Sequence, residues 1–150
     1  HPMVAQIHGI CVGGGLEIAS LCDIRICGEG SRFGAPIKNL GLVMAYPEMA
    51  PLVRLVGADV ALEILLEGRI FDAREAHHKG LVTRVVADDR VASEALDTAR
   101  RIADGAPLVA RWHNRYFLFN HRLVCTVIFC AVVCSAGEWV IGTYFNLADN

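Results

Sequence analysis

The stretch IHGICVGGGLEIASLCDIRI, from Ile7 to Ile26, places three consecutive glycines, Gly13, Gly14 and Gly15, just ahead of Glu17. A β-like run precedes the glycines and a helix-like run follows them. Backbone N–H groups at a helix start lack intrahelical acceptors and carry partial positive charge. Glycines remove the side chains that would shield those groups from a ligand. Donors of this kind suit an oxygen that becomes negative in a transition state, such as a thioester carbonyl turning into an enolate, and one of them lowers such a barrier by about 3 kcal/mol. Glu17, one turn into the helix, is close enough to exchange a proton with an atom held there. Each feature also has a structural reading. The glycines allow close helix–strand packing, and a carboxylate at a helix N-terminus contributes at most ~1 kcal/mol when exposed. The pattern alone leaves both open.

Other glycine chemistries fail on the residues. A dinucleotide fingerprint starting at Gly13 would need glycine or alanine where Ile18 stands, and no Gly-Lys-Ser/Thr closes a phosphate loop. No G-x-S-x-G elbow is present. The six cysteines, Cys11, Cys22, Cys27, Cys125, Cys130 and Cys134, form no CxxC and no zinc-type spacing with histidine, so the expectation is reduced thiols and no metal. A net charge of -2 leaves no footprint for nucleic acid and no basic block for a membrane surface.

The elements that would position Glu17 alternate between short strands and helices, which predicts an α/β fold. Met3–Ile7 and Ile24–Cys27 read as strands, and LEIASLC between them reads as a helix with Leu16, Ala19 and Ser20 at three- and four-residue spacing. The segment GEGSRFGAPIKNLGLVMAYPEMAP holds three of the five prolines and reads as loop. A short helix over 51–57 and a second, ADVALEILLEG, follow, each stopped by glycine. Asp72-Ala73-Arg74-Glu75 resembles a capping box opening another short helix. LVTRVV reads as a strand. A longer helix opens at Asp88 or Asp89 with Val91, Ala95, Ala99, Ile102 and Ala103 on one face, and Pro107 suits the first turn of the next.

The 150 residues, 54% of them hydrophobic, suit one domain with a sizeable core. Residues 1–115 are expected to carry it. Residues 116–150 change character: after Tyr116 only Arg122, Glu138 and Asp149 are charged. The uncharged run from Leu123 to Gly137 falls short of the ~20 apolar residues that span a bilayer, so a buried or interface helix is expected instead. The first residues, HPMVAQIHG, show no basic region followed by an apolar run, which gives a cytoplasmic expectation. They also carry no initiating Met and read as the middle of a domain.

These residues resemble the crotonase (enoyl-CoA hydratase/isomerase) superfamily. The resemblance runs through PMVAQIHGICVGGGLEIASLCDIRI, SRFGAPIKNLGL, RLVG and ALEILLEGRIFDAREAHHKGLVTRVV, roughly residues 2 to 113, in order. It implies the C-terminal part of a spiral of ββα turns followed by helices, with the N-terminal turns, the other oxyanion donor and much of the CoA surface lying before residue 1. It implies an acyl-CoA thioester as substrate, no cofactor beyond the coenzyme A the substrate carries, and, with the full-length chain present, assembly as a homotrimer or hexamer. One oxyanion N–H maps to Gly14, flanked by Gly13 and Gly15 as the binding glycines. Glu17 maps to the glutamate that in hydratases helps activate water.

Two departures stand out. The family's second glutamate follows the proline of its F-G-x-P segment, and Ile37 stands there. Glu48, in MAYPEMA, is the candidate replacement for the missing acid. The tail from Phe117 does not match the family's C-terminal helices, which pack in trimers. The expected activity is therefore an enolate reaction of the hydratase/isomerase type, with decarboxylation or thioester hydrolysis as variants, and this chain alone is expected to be poorly active. The rival is a non-catalytic acyl-CoA-binding or assembly subunit. Among other residues, Lys38 is expected to point away from the site and His8 to pack. His77 and His78 read as surface groups at a helix end, Asp23 as the anchor of a turn, and Trp112 and Trp139 as core or interface anchors.

Overall fold

The computed structural model describes residues 1–119, 130–135 and 138–143. Its first strand, β1 (Val4–Val12), is longer than the expected Met3–Ile7, and the extra length has a topological purpose. Helix α1 (Gly14–Leu21) leads into β2 (Ile24–Gly28), and Val4 to Ile7 of β1 pair in parallel with Ile24 to Cys27. Strand β3 (Arg32–Gly34) lies in the segment expected to be loop and pairs in parallel with the far end of β1, from Ile10 to Val12. One strand thus serves two neighbours in succession. Between the two pairings sits Gly9 with φ 65°, a backbone region that costs a β-branched residue heavily.

A 3-10 turn (Pro36–Leu40) leads to α2 (Tyr46–Val56) and α3 (Ala58–Glu67). The two-residue strand β4 (Phe71–Asp72) runs antiparallel to β3, and α4 (Ala73–His78) follows it directly. Strand β5 (Arg84–Val86) pairs in parallel with β2. After a 3-10 turn (Asp88–Arg90) come α5 (Val91–Ala103) and α6 (Pro107–Phe119), the latter opening on Pro107 as expected. Mixed strand pairing with helices on both faces is the α/β arrangement read from the sequence. No helix among the described residues is long and apolar enough to cross a membrane.

Period-two alternation sorts the side chains of β1. Met3, Ala5, Ile7 and Cys11 join the main core with Leu16 and Ala19 of α1, Leu52 of α2, Ile64 of α3 and Phe33 of β3. Val4 points the other way and packs with Ile26 and Ala95 under α5. Burying side chains such as Leu16, Phe33 and Leu52 favours the fold by roughly 1.5–3 kcal/mol each relative to leaving them exposed. On α5, Val91 and Ala95 are buried as expected, but Thr98 is buried too and Ala103 is exposed.

Polar groups lock the turns between these elements. Asp23 accepts from the Met3 amide at 2.6 Å and from Asn114 Nδ2 at 2.9 Å, tying the α1–β2 turn to the start of β1 and to α6. Arg25, 7% exposed, donates through Nε to the Leu81 carbonyl at 2.9 Å and through its other nitrogens to the carbonyls of Cys22 and Asp23. The Asp72 carboxylate accepts from the Glu75 amide at 2.8 Å, the N-cap read from the sequence. The Glu75 carboxylate goes instead to Arg69 and Lys79.

Two expectations are corrected. The helix expected over 51–57 starts five residues earlier, at Tyr46. Pro47 suits a first helical turn, and the Glu48 side chain satisfies the Ala45 amide at the helix entrance. Pro51 then falls inside the helix, where it is buried beside Leu52. In the tail, the part of the expected Leu123–Gly137 helix that falls on described residues is strand. Strand β6 (Cys130–Ser135) pairs in parallel with Gln6 to Gly9 of β1, and β7 (Glu138–Thr143) pairs with it in antiparallel register. Valine- and cysteine-rich CAVVCS suits an extended conformation, and the remaining edge of β1 supplies its hydrogen bonds. The rest of that expectation, Cys125 included, lies outside the described residues.

Candidate active site

The carboxyl end of β1 runs into the glycine turn. Gly13 adopts φ 52° and ψ -122°, a conformation effectively reserved for glycine, and its amide donates to the Gly34 carbonyl at 3.0 Å. Its own carbonyl accepts the Glu17 amide at 3.0 Å, closing the first turn of α1. The amide of Gly14, at the first position of that helix, has no acceptor among the described residues. Gly14 is exposed, and a Cβ built on Gly13 or on Gly14 would meet nothing within 4 Å. Gly15, by contrast, is buried in the helix–strand contact. The run therefore divides into a strained hinge, an uncovered amide and a packing residue.

Glu17 is half-buried and accepts no hydrogen bond from any described residue, nor does it form an ion pair with one. Partial desolvation, and next the negative charge of Glu48, push its carboxyl above the ordinary carboxylate range. A structural N-terminal carboxylate normally accepts from the helix amides, as Asp72 does on α4. Glu17 leaves its oxygens for something else.

Glu48 is exposed in the first turn of α2, where Oε2 accepts from the Ala45 amide at 3.1 Å. Its placement in a helix was missed in the sequence, although Pro47 beside an acid three residues beyond Ala45 is a readable start signal. Helix α2 packs against α1. Ile37 is half-buried against the main core, an apolar group with no proton to give. Lys38 turns away from the site, and its Nζ donates to the Leu66 carbonyl at the end of α3 at 2.7 Å.

The remaining candidates are dispersed. His8 lies on the half-buried outer face of β1, its Nε2 2.8 Å from Gln6 Nε2. His77 lines a cleft of about 500 Å³ with Glu29, Arg32, Asp72 and Arg74, a lining that includes none of Gly13, Gly14, Gly15, Glu17 and Glu48, and His78 is exposed. Trp112 is 57% exposed rather than buried. Cys11, Cys22 and Cys27 are buried, and burial pushes Cys11 up to about 12, where it is no nucleophile at neutral pH. Among the described residues no three His, Cys, Asp or Glu side chains converge as metal ligands would.

Comparison with known proteins bears on this geometry. Residues 1–120 match the family model described as enoyl-CoA hydratase/isomerase. A probable enoyl-CoA hydratase from Rhizobium meliloti is 44% identical over 102 residues, covering 68% of this chain and 40% of that protein. A probable mitochondrial enoyl-CoA hydratase 2 from Arabidopsis thaliana is 40% identical over 110 residues, 73% of this chain and 36% of that one. The chain thus spans less than half the length of these curated relatives. Among solved structures, an enoyl-CoA hydratase/carnithine racemase from Magnetospirillum magneticum superposes with a TM-score of 0.78 at 53% identity, over 80% of this chain and 45% of that one. A match over four-fifths of the sequence, with α/β neighbours of high identity, settles descent: the chain belongs to the enoyl-CoA hydratase/isomerase family.

Proposed function

We propose that the protein acts on acyl-CoA thioesters by stabilising an enolate, with the Gly14 amide donating to the thioester oxygen and Glu17 moving a proton to or from the neighbouring carbon. The observation that carries this reading is Glu17 itself: a half-buried carboxyl with no described partner and a raised proton affinity, one turn above an uncovered amide. A carboxyl that holds its proton more tightly is matched to returning it to carbon, and a helix N-terminus is matched to negative charge arising on oxygen. The relatives called enoyl-CoA hydratases supply the reaction class, addition of water to a 2-enoyl-CoA.

Ile37 favours a second reading alongside hydration. A site with one proton-transfer group is sufficient to shift a double bond, because the proton removed from one carbon returns to another, so isomerisation of an enoyl-CoA is the runner-up. Trimeric or hexameric assembly belongs to the same reading, and the run of exposed apolar side chains Leu40, Leu42, Val43 and Tyr46 supports a surface that another subunit covers.

Glu17→Gln tests the reading. Turnover of crotonyl-CoA should fall by about 100-fold or more, the usual worth of a positioned acid–base group, while affinity for the CoA ester changes little. A non-catalytic acyl-CoA-binding subunit would show affinity and no turnover in either form.

A further inference from the structure

Hydration needs two proton transfers, one from water and one to carbon, and Ile37 leaves one of them without a group. The tertiary structure brings a different carboxylate to bear. Because α2 opens at Tyr46, Glu48 sits in a first helical turn rather than a loop, on a helix packed against α1. The Ala45 amide fixes its Oε2, and its other oxygen has no described partner. Its charge is felt at Glu17, which itself has none.

We propose that Glu48 is the second acid–base residue of the site, taking the role that Ile37 cannot fill. The proposal rests on the enolate reading above. The exposed Glu48 carboxylate takes a proton from water as the water oxygen bonds to the β-carbon. The double-bond electrons move onto the thioester oxygen, where the Gly14 amide meets the negative charge. Protonated Glu17 then delivers its proton to the α-carbon, the enolate collapses to the carbonyl, and a proton passes from Glu48 to Glu17 through solvent to restore the pair.

The test compares two reactions of the purified protein: hydration of crotonyl-CoA, and conversion of a 3-enoyl-CoA to its 2-enoyl isomer, which needs no water. Glu48→Gln keeps an oxygen to accept from the Ala45 amide, so the helix entrance is preserved. The ratio of hydration to isomerisation should fall about 100-fold in this variant, while Glu17→Gln lowers both rates. An unchanged ratio in Glu48→Gln overturns the role of Glu48, and so does a parent protein that isomerises without hydrating. In both cases the enolate reading stands if Glu17→Gln still loses isomerisation. Two unchanged rates in Glu17→Gln, or a parent with neither activity, overturn both.

Discussion

The amide of Gly13 donates to the carbonyl oxygen of Gly34 at 3.0 Å, so the strand that ends at the site is fastened to the one that runs beside it. Gly34 has little room for a side chain, since an added Cβ would stand 2.5 Å from the Arg69 carbonyl oxygen and 3.0 Å from Ile70 Cδ1. Backbone cannot swing aside as a flexible side chain can. Gly34→Ala is therefore expected to destabilise the protein by about 1–3 kcal/mol, the usual cost of overpacking, and to disturb the glycine turn. Chemical denaturation of the two proteins measures the difference.

Gly13 and Gly14 should respond oppositely to the same substitution. Alanine at Gly14 meets no atom within 4 Å and no positive φ, so folding should be preserved or stabilised by about 0.4–1 kcal/mol. Its methyl group would nevertheless stand in the open space beside the uncovered amide, and turnover should drop. At Gly13, with φ 52°, alanine should cost about 1–3 kcal/mol through backbone strain alone. Melting temperature and turnover, measured together, separate a lost site from a lost fold.

The sign of the Glu17 shift gives a pH prediction. Its folded pKa is raised, so the native state binds a proton more tightly than the unfolded chain does. The resulting stability is fully present below the ordinary carboxyl value and is lost as pH rises through the folded one. Above the folded pKa the ionised group is a net burden on the fold. Glu17→Gln should accordingly raise the melting temperature at pH 7, with the advantage disappearing below about pH 4. A variant less stable than the parent at pH 7 would contradict the geometry described for this side chain.

Arg25 is expected to be the costliest charged residue to replace. Its guanidinium is buried and joins three carbonyls, those of Leu81, Cys22 and Asp23, across the sheet–helix boundary. Burial pulls its pKa below the usual arginine range, with nearby Cys22 and Asp23 opposing that shift. Arg25→Leu leaves buried carbonyls without donors and should cost about 2–3 kcal/mol by urea denaturation. The exposed Arg100, paired with Asp97 one turn away, should tolerate the same change.

Much of the site was legible because its signals are local. Glycines between a strand and a helix, and a carboxylate one turn later, depend on neighbours within ten residues. So do the Asp72 cap and the Pro107 start. The start of α2 was missed because the helix was read as opening at Pro51, whereas packing of Leu52 into the core holds the helix through that proline. The tail was read as helix because an uncharged apolar run carries no period that separates helix from strand, and the pairing that decides between them comes from β1, more than a hundred residues earlier.

By itself, then, the sequence determined the α/β alternation, the hinge at the glycines, and the position of Glu17 above them, since each follows from backbone freedom and short-range hydrogen bonding. Only the tertiary structure decided that β1 changes neighbours at Gly9, that Lys38 reaches the end of α3, and that the charge acting on Glu17 is that of Glu48. Those relationships join residues far apart in the chain. Their energies come from packed helices and shared strand edges that exist only once the whole core has formed.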